Sequence, residues 1–217
     1  MLRQTQILLK HLLLNEWRQL YAVMALLLQV VSSIFVLYLA AKFLDKAAWN
    51  ALYWVLLLFL SINAVGRSFI QESKGRLMYY YQLCSPSAII ISRIIYNTIL
   101  VLFISLLSLF LYSVWMGNPI EKPGLYTLVI CLAAIGYSSV LTLMSAISSH
   151  AGNSHIIMPV LSFPVIIPLL SLSVHAAKQA MDGIDSGLIY QNIVYMCSLD
   201  LIIFGMAYIL FPFLWKD

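Results

Sequence analysis

Charged residues are scarce in this chain of 217 residues. Asp, Glu, Lys and Arg make up 9% of it, whereas soluble domains contain about 25%, and 63% of its residues are hydrophobic. The mean hydropathy is +0.95. Because a soluble globule could not bury so much apolar surface, we interpret residues 1–217 as a single domain of an integral membrane protein.

Cysteines and catalytic motifs are scarce as well. The three cysteines show no CxxC spacing, so neither a disulfide framework nor a metal site is predicted. No GxxxxGK[ST] sequence occurs, so we do not expect the chain to hydrolyse ATP by itself. No apolar run carries a His-Glu, paired Asp or Ser-His set, which argues against an enzyme. The net charge of +4 is too small and too dispersed for a nucleic-acid-binding surface.

Six apolar stretches reach, or come close to, the length needed to cross a bilayer. A hydrocarbon core of about 30 Å requires roughly 20 helical residues. The stretches lack the alternation of polar and apolar residues that is typical of barrel strands, so we predict an all-α, polytopic fold. The six predicted transmembrane helices are residues 20–41, 47–65, 94–116, 125–147, 156–177 and 190–214.

Lysine and arginine are distributed unequally between the two sides of these spans. Eight lie on the side of the termini and of residues 66–93, and four lie on the other side. The positive-inside rule therefore predicts that both termini and residues 66–93 are cytoplasmic. Aromatic residues at the ends of apolar runs, including Trp49, Tyr53 and Trp54, predict a belt at the membrane surface.

Residues 1–19 precede the first predicted span and alternate with a helical period. Leu2, Leu9, Leu12 and Trp17 recur at helical spacing, with polar residues largely between them. This pattern predicts an amphipathic interfacial helix on the inner leaflet. It could serve as a simple surface anchor, or as an elbow helix that frames the bundle and faces a cytoplasmic partner.

The segment 66–93 is the only connection between spans that is long enough for structure of its own. Its first half is polar and charged, Gly75 can break a helix, and an apolar face returns before Pro86. We predict a cytoplasmic coupling helix, to which a soluble ATPase would bind so that its motion reaches the membrane. The alternative is a solvated loop with an interfacial turn. The candidate ATPase-coupling residues are Arg67, Glu72, Gly75, Arg76, Leu77, Tyr80 and Pro86.

Several blocks of the sequence resemble one protein family. They are NAVGRSFIQESKGRLMYYYQLCSP at 63–86, GNP at 117–119, AAIGYSSVLTLMSAIS at 133–148 and LSFPVIIPLLSLSVH at 161–175. Together with six spans and matching loop lengths, they make the chain similar to the heme exporter protein B family, in particular its divergent Bacteroidetes-like members. Better-known members carry an acidic residue, Gly, any residue, Leu and Glu in the cytoplasmic segment. This chain has KGRLM at 74–78, so the Gly and the Leu match and both acids are absent.

The resemblance implies the membrane (permease) subunit of an ABC-type complex for heme export or delivery in cytochrome c-type biogenesis, located in the bacterial inner membrane. It implies an ATP-binding subunit, a heme-handling membrane subunit with a tryptophan-rich motif and, indirectly, a heme chaperone as partners, in addition to membrane lipids. Heme would be a transported or transferred ligand and not a stably bound cofactor. The alternatives are a lipid- or drug-exporting permease and a passive assembly scaffold.

Three features inside the spans are candidate functional elements. Asp200 lies about eleven residues into the last span, with no Lys or Arg at comparable depth, so it is a candidate gating or substrate-path residue. The alternative is a protonated acid bonded to a neighbouring Ser, Asn or carbonyl. Pro164 and Pro168, together with Pro159, predict a kinked or locally unwound fifth span. The small residues within 133–148 allow close packing inside the bundle or across a homodimer.

Histidine is the usual axial ligand of heme, and four histidines occur. Only His175, at the periplasmic end of the fifth predicted span, lies where exported heme would be handed on. We therefore consider His175 a candidate heme ligand, the alternative being an ordinary interface histidine.

Overall fold

The computed structural model describes residues 2–18, 20–41, 44–66, 85–149, 154–183 and 186–214. Within these ranges the chain forms seven α-helices and no strand, which confirms the predicted all-α class. In chain order they are α1 Leu2–Arg18, α2 Leu20–Ala40, α3 Lys46–Val65, α4 Pro86–Met116, α5 Pro123–Ser148, α6 Ser154–Met181 and α7 Ser186–Leu214.

Five of these helices, α3 to α7, are long and apolar enough to cross a membrane. The first predicted span, 20–41, corresponds to α2, whose apolar part Met24–Ala40 is shorter than the others. The sixth crossing therefore stays a prediction, as do the cytoplasmic placement of the termini and of 66–93.

Helix α4 begins earlier than the sequence analysis expected. Ser85 is its N-cap and Pro86 occupies the first turn, where the missing N–H of proline removes no helical hydrogen bond. Pro86 therefore opens a helix and does not end one, and α4 starts well before position 94. As a result Arg93 lies inside α4, where it is 3% exposed.

Helix α6 runs without interruption through Pro159, Pro164 and Pro168. Of the two predicted alternatives, a locally unwound span is therefore wrong, whereas a kink at these prolines stays a prediction. Each proline removes one backbone hydrogen bond, but a helix can continue past that defect when its neighbours hold it. The side chains of Pro164 and Pro168 are exposed on the outer side of the helix, so their rings do not disturb the packed interior.

Helix α5 lies at the centre of the bundle and packs against α3, α4, α6 and α7. Its small residues are buried, so the run at 133–148 serves close packing inside this chain. Polar side chains also join α5 to α4: the Asn97 amide donates to the Thr142 hydroxyl at 2.7 Å, and Thr98 and Ser138 share a hydrogen bond of 2.5 Å. These bonds fix the register of the two helices.

The aromatic residues that were expected in a surface belt are instead part of the core. Trp49, Tyr53 and Trp54 of α3 are at most 2% exposed. They pack with two further buried aromatics, Tyr112 of α4 and Tyr126 of α5, with ring centroids 4.7 to 6.2 Å apart. The belt prediction failed for these three because helix ends can face the bundle interior as well as the membrane surface.

Asn50 connects this aromatic cluster by hydrogen bonds. Its side-chain oxygen accepts from the Trp54 indole and from the Tyr126 hydroxyl, both at 3.1 Å, and its amide donates to the carbonyl of Val174 on α6, also at 3.1 Å. The amide is therefore satisfied on both sides while 1% exposed. Three helices are joined at this end of the bundle by one side chain.

Helix α1 packs onto the beginning of α4 and more weakly onto α2. The Ser85 hydroxyl donates to the Gln4 side-chain oxygen at 3.3 Å, and Leu8 packs beside the buried Ile89 and Ile90. Helix α1 is therefore joined to the bundle where α4 starts. Its place on the inner leaflet, and its role as a surface anchor or as an elbow facing a cytoplasmic partner, stay predictions.

Replacing Asn50 with Ala should markedly destabilise the bundle. The Trp54 and Tyr126 donors would lose their acceptor in a buried site, at about 1–3 kcal/mol for each group left unpaired. Thermal unfolding of the detergent-solubilised protein is the measurement. Asn63→Ala, at an exposed position of the same helix, is the matched control and should change the Tm little. Equal Tm values for the two variants would show that the Asn50 bonds do not hold the cluster.

Candidate functional site

Asp200 is the buried acid of the last helix. It lies on α7 with 8% of its surface exposed, and neither carboxyl oxygen has a hydrogen-bond partner within the described parts of the chain. The alternative interpretation, an acid bonded to a neighbouring hydroxyl, amide or carbonyl, therefore finds no support there. A buried polar group without partners costs free energy, so its presence calls for an explanation other than packing.

Gly136 on α5 provides the space that the Asp200 carboxyl group occupies. A Cβ atom at position 136 would overlap the Asp200 Oδ1 atom and the Cδ2 atom of Leu169 on α6. Position 136 therefore requires glycine because α5, α6 and α7 approach one another closely here. Its backbone angles are ordinary helical ones and do not require glycine. The Asp200 site can be defined as Asp200, Gly136, Leu169 and the adjacent Tyr137.

Tyr137 supplies a second buried polar group beside the acid. Its side chain is fully buried. Nearby on α6, the Ser173 hydroxyl donates to the Leu169 carbonyl at 2.7 Å, and its oxygen lies close enough to Tyr137 to accept from the phenol. The site therefore combines a carboxyl group that has no partner among the described residues with a buried phenol beside it.

The candidate residues of α6 lie on opposite sides of this site. Pro168 precedes Leu169, and because it has no N–H the carbonyl of Pro164 lacks its helical donor one turn away. His175 is exposed and follows Val174, the residue that accepts the Asn50 bond. A separation of six helical positions from Leu169 corresponds to roughly 9 Å, so His175 belongs to the aromatic end of the bundle and not to the Asp200 site.

Most of the predicted ATPase-coupling residues fall outside the described part of the chain. Pro86 is the one that the structure places, at the first turn of α4. The six others are Arg67, Glu72, Gly75, Arg76, Leu77 and Tyr80. Among the described residues no three His, Cys, Asp or Glu side chains gather into a metal-binding group.

The sequence analysis missed a groove between α2 and α3. It has a volume of about 470 Å³. Gln29, Ser32 and Ser33 contribute polar side chains from α2, and α3 contributes an apolar wall that includes Val55 and Phe59. A signal was available, because Gln29 interrupts an otherwise apolar run. We call this feature the α2–α3 groove.

A family model described as "CcmB protein" matches residues 4–213. The match spans α1 to α7 almost completely, and includes the segment 67–84 that the structure leaves undescribed. No curated protein and no solved structure gives a match.

Replacing Gly136 with Ala should destabilise the helix packing around Asp200. The new methyl group has to displace the acid and Leu169, and such overpacking costs about 1–3 kcal/mol. Gly205→Ala on α7 is the matched control, because nothing lies within 4 Å of a Cβ atom there. Unfolding of both variants should be measured, also in an Asp200→Ala background. If the cost of Gly136→Ala is the same with and without Asp200, the two residues are not coupled.

Proposed function

Since the chain belongs to the CcmB protein family, the heme exporter protein B family, we propose that it is the membrane subunit of an ABC-type complex that supports cytochrome c-type biogenesis. The observation that carries the proposal is the family match over residues 4–213. The chain is an integral membrane protein of the inner membrane, and its five long apolar helices support a permease role. A separate ATP-binding subunit supplies ATP hydrolysis, and a heme-handling membrane subunit presents the heme-loaded chaperone that the complex releases.

The segment 66–93 is proposed as the site where the ATP-binding subunit docks. It runs from the end of α3 into the first eight residues of α4, and α4 packs on α5, α3, α2, α1 and α7. A force applied at the start of α4 therefore reaches most of the bundle directly. The bonds of Asn97 and Thr98 to α5 make this connection stiff.

The Asp200 site is proposed as the point where such a movement changes the bundle. α5, α6 and α7 meet there through Gly136, Leu169 and Asp200, and the unpaired carboxyl group gains polar partners only if the helices separate. Pro164 and Pro168 weaken the backbone of α6 next to this point. The end of the bundle around Asn50 is fully hydrogen-bonded within the described residues and supports a fixed base. Heme is treated as a transferred ligand, with His175 as the candidate contact at that end.

Charge reversal at Arg76 should weaken binding of the ATP-binding subunit. An unpaired charge at a partly desolvated contact costs about 2–5 kcal/mol, and much less at a rim. Co-purification of the ATP-binding subunit with Arg76→Glu and with Gly75→Pro is the measurement. Lys178→Glu is the control: it reverses the charge of an exposed lysine near the end of α6, on the predicted periplasmic side of the membrane. It should leave recovery of the ATP-binding subunit unchanged. Undiminished recovery with both variants would move the docking site to the 148–155 turn or α1.

Replacing Asp200 with Asn should reduce cytochrome c yield while the amount of membrane-inserted protein stays near normal. The substitution keeps the shape and the hydrogen-bonding capacity of the side chain but removes its acidity. Asp182→Asn, at the turn that ends α6, is the control and should leave the yield unchanged. Normal yield with Asp200→Asn would contradict the gating role, and a loss of inserted protein would assign Asp200 to packing.

A further inference from the structure

The connection 117–122 joins α4 to α5 and also contacts two other helices. Its own shape is fixed locally. Gly117 has a φ of 80°, in the left-handed region that favours glycine, and the Asn118 side-chain oxygen accepts from the Ile120 amide at 3.2 Å. The Ile120 side chain packs against the core of the bundle. The GNP block therefore builds a defined turn, and we call residues 117–122 the strap.

The strap closes the end of α6. The last carbonyl groups of a helix have no donor inside that helix. Here the Glu121 N–H donates to the Met181 carbonyl at 3.4 Å, and the next N–H, of Lys122, donates to the Ala180 carbonyl at 3.1 Å. Gly183 follows with a φ of 67°, and a Cβ atom there would overlap the Glu121 carboxylate. The Glu121 side chain therefore lies against a stretch of backbone that glycine leaves open.

The strap also binds the beginning of α3. The Lys46 ammonium group donates to the Glu121 carboxylate at 2.8 Å, and the Trp49 indole N–H donates to the Gly117 carbonyl at 3.1 Å. The ion pair is about half exposed and contributes little by itself, but Trp49 is buried. One connection thus carries bonds to the first turn of α3 and to the last turn of α6.

The two parts of α6 on either side of Pro168 differ in how they are held. After Pro168, the Val174 carbonyl accepts the Asn50 bond, and the strap holds the last turn. The part up to Pro168 contains all three prolines of the helix, and each of them removes one backbone hydrogen bond. Leu169, the α6 member of the Asp200 site, directly follows Pro168 and so lies where the two parts meet.

We propose that the strap keeps the neighbouring ends of α3 and α6 at a fixed distance, so that α6 moves by bending at its prolines and not by shifting as a whole. A force on a helix that is held at one end acts where its backbone has the fewest hydrogen bonds, which is beside the Asp200 site. This inference deepens the proposed function and rests on it, since the movement is the one attributed there to the ATP-binding subunit.

The test measures distances between pairs of spin labels by electron paramagnetic resonance, in the full chain reconstituted into lipid vesicles with its three native cysteines replaced by Ala. One pair of labels, at positions 47 and 178, reports the ends of α3 and α6 that the strap joins. The other pair, at positions 63 and 156, reports the opposite ends of the same two helices. All four positions are exposed.

Two variants open the strap in different ways. Gly183→Ala places a side chain at a left-handed position and drives it into Glu121. Glu121→Lys replaces the ion pair with two neighbouring cations. Gly124→Ala is the matched control, because it lies beside the strap and nothing is within 4 Å of a Cβ atom there.

In the chain alone, Gly183→Ala and Glu121→Lys should replace the single narrow 47–178 distance with a broad distribution and leave the 63–156 distance as in the wild type. Gly124→Ala should change neither distance. A narrow 47–178 distance in both strap variants would overturn the proposal. Broadening of both label pairs would overturn it as well, because it would indicate a general loss of packing.

The complex with the ATP-binding subunit tests the bending of α6. Addition of ATP should shift the 63–156 distance and leave the 47–178 distance unchanged. A shift of the 47–178 distance, or no shift of either pair while the ATP-binding subunit is bound, would overturn the proposal. If the wild-type chain recovers no ATP-binding subunit, the proposed function fails instead, and the measurements on the chain alone decide whether the strap holds the two helix ends.

Discussion

Polar groups inside a membrane bundle must find their partners within the protein, because hydrocarbon offers none. Helix α5 meets this requirement by combining small residues, which bring neighbouring backbones close, with hydroxyl groups that bond to its own carbonyls or to α4. The rest of the bundle depends on that central helix, since α3, α4, α6 and α7 all pack against it. A larger side chain on α5 would push these four neighbouring helices away from the centre of the bundle.

The two halves of the bundle differ in how completely this requirement is met. Around Asn50 every aromatic N–H and O–H group of the described cluster is hydrogen-bonded, including Tyr53 to the Ser105 carbonyl at 3.0 Å. Around Asp200 the buried carboxyl oxygens have no hydrogen-bond partner in the part of the chain that the structure describes. Rearranging a satisfied network breaks hydrogen bonds. Rearrangement around an unsatisfied group can instead give that group a partner and so lower its free energy. This contrast is the physical basis for treating the Asp200 site as the changeable part of the structure.

The sequence by itself determined the helical class, most of the helix bounds and the family, because long apolar runs permit only a hydrogen-bonded helix in lipid and the 63–86 and 133–148 blocks are specific. It also singled out Asp200, since an acid within an apolar run needs no neighbours to be noticed. It could not decide which way a side chain faces. Trp49, Tyr53 and Trp54 entered the core and not the membrane surface. Gly136 became the counterpart of Asp200, and Gln29 came to line a groove, because each depends on contacts between helices distant in sequence, which only the tertiary structure brings together.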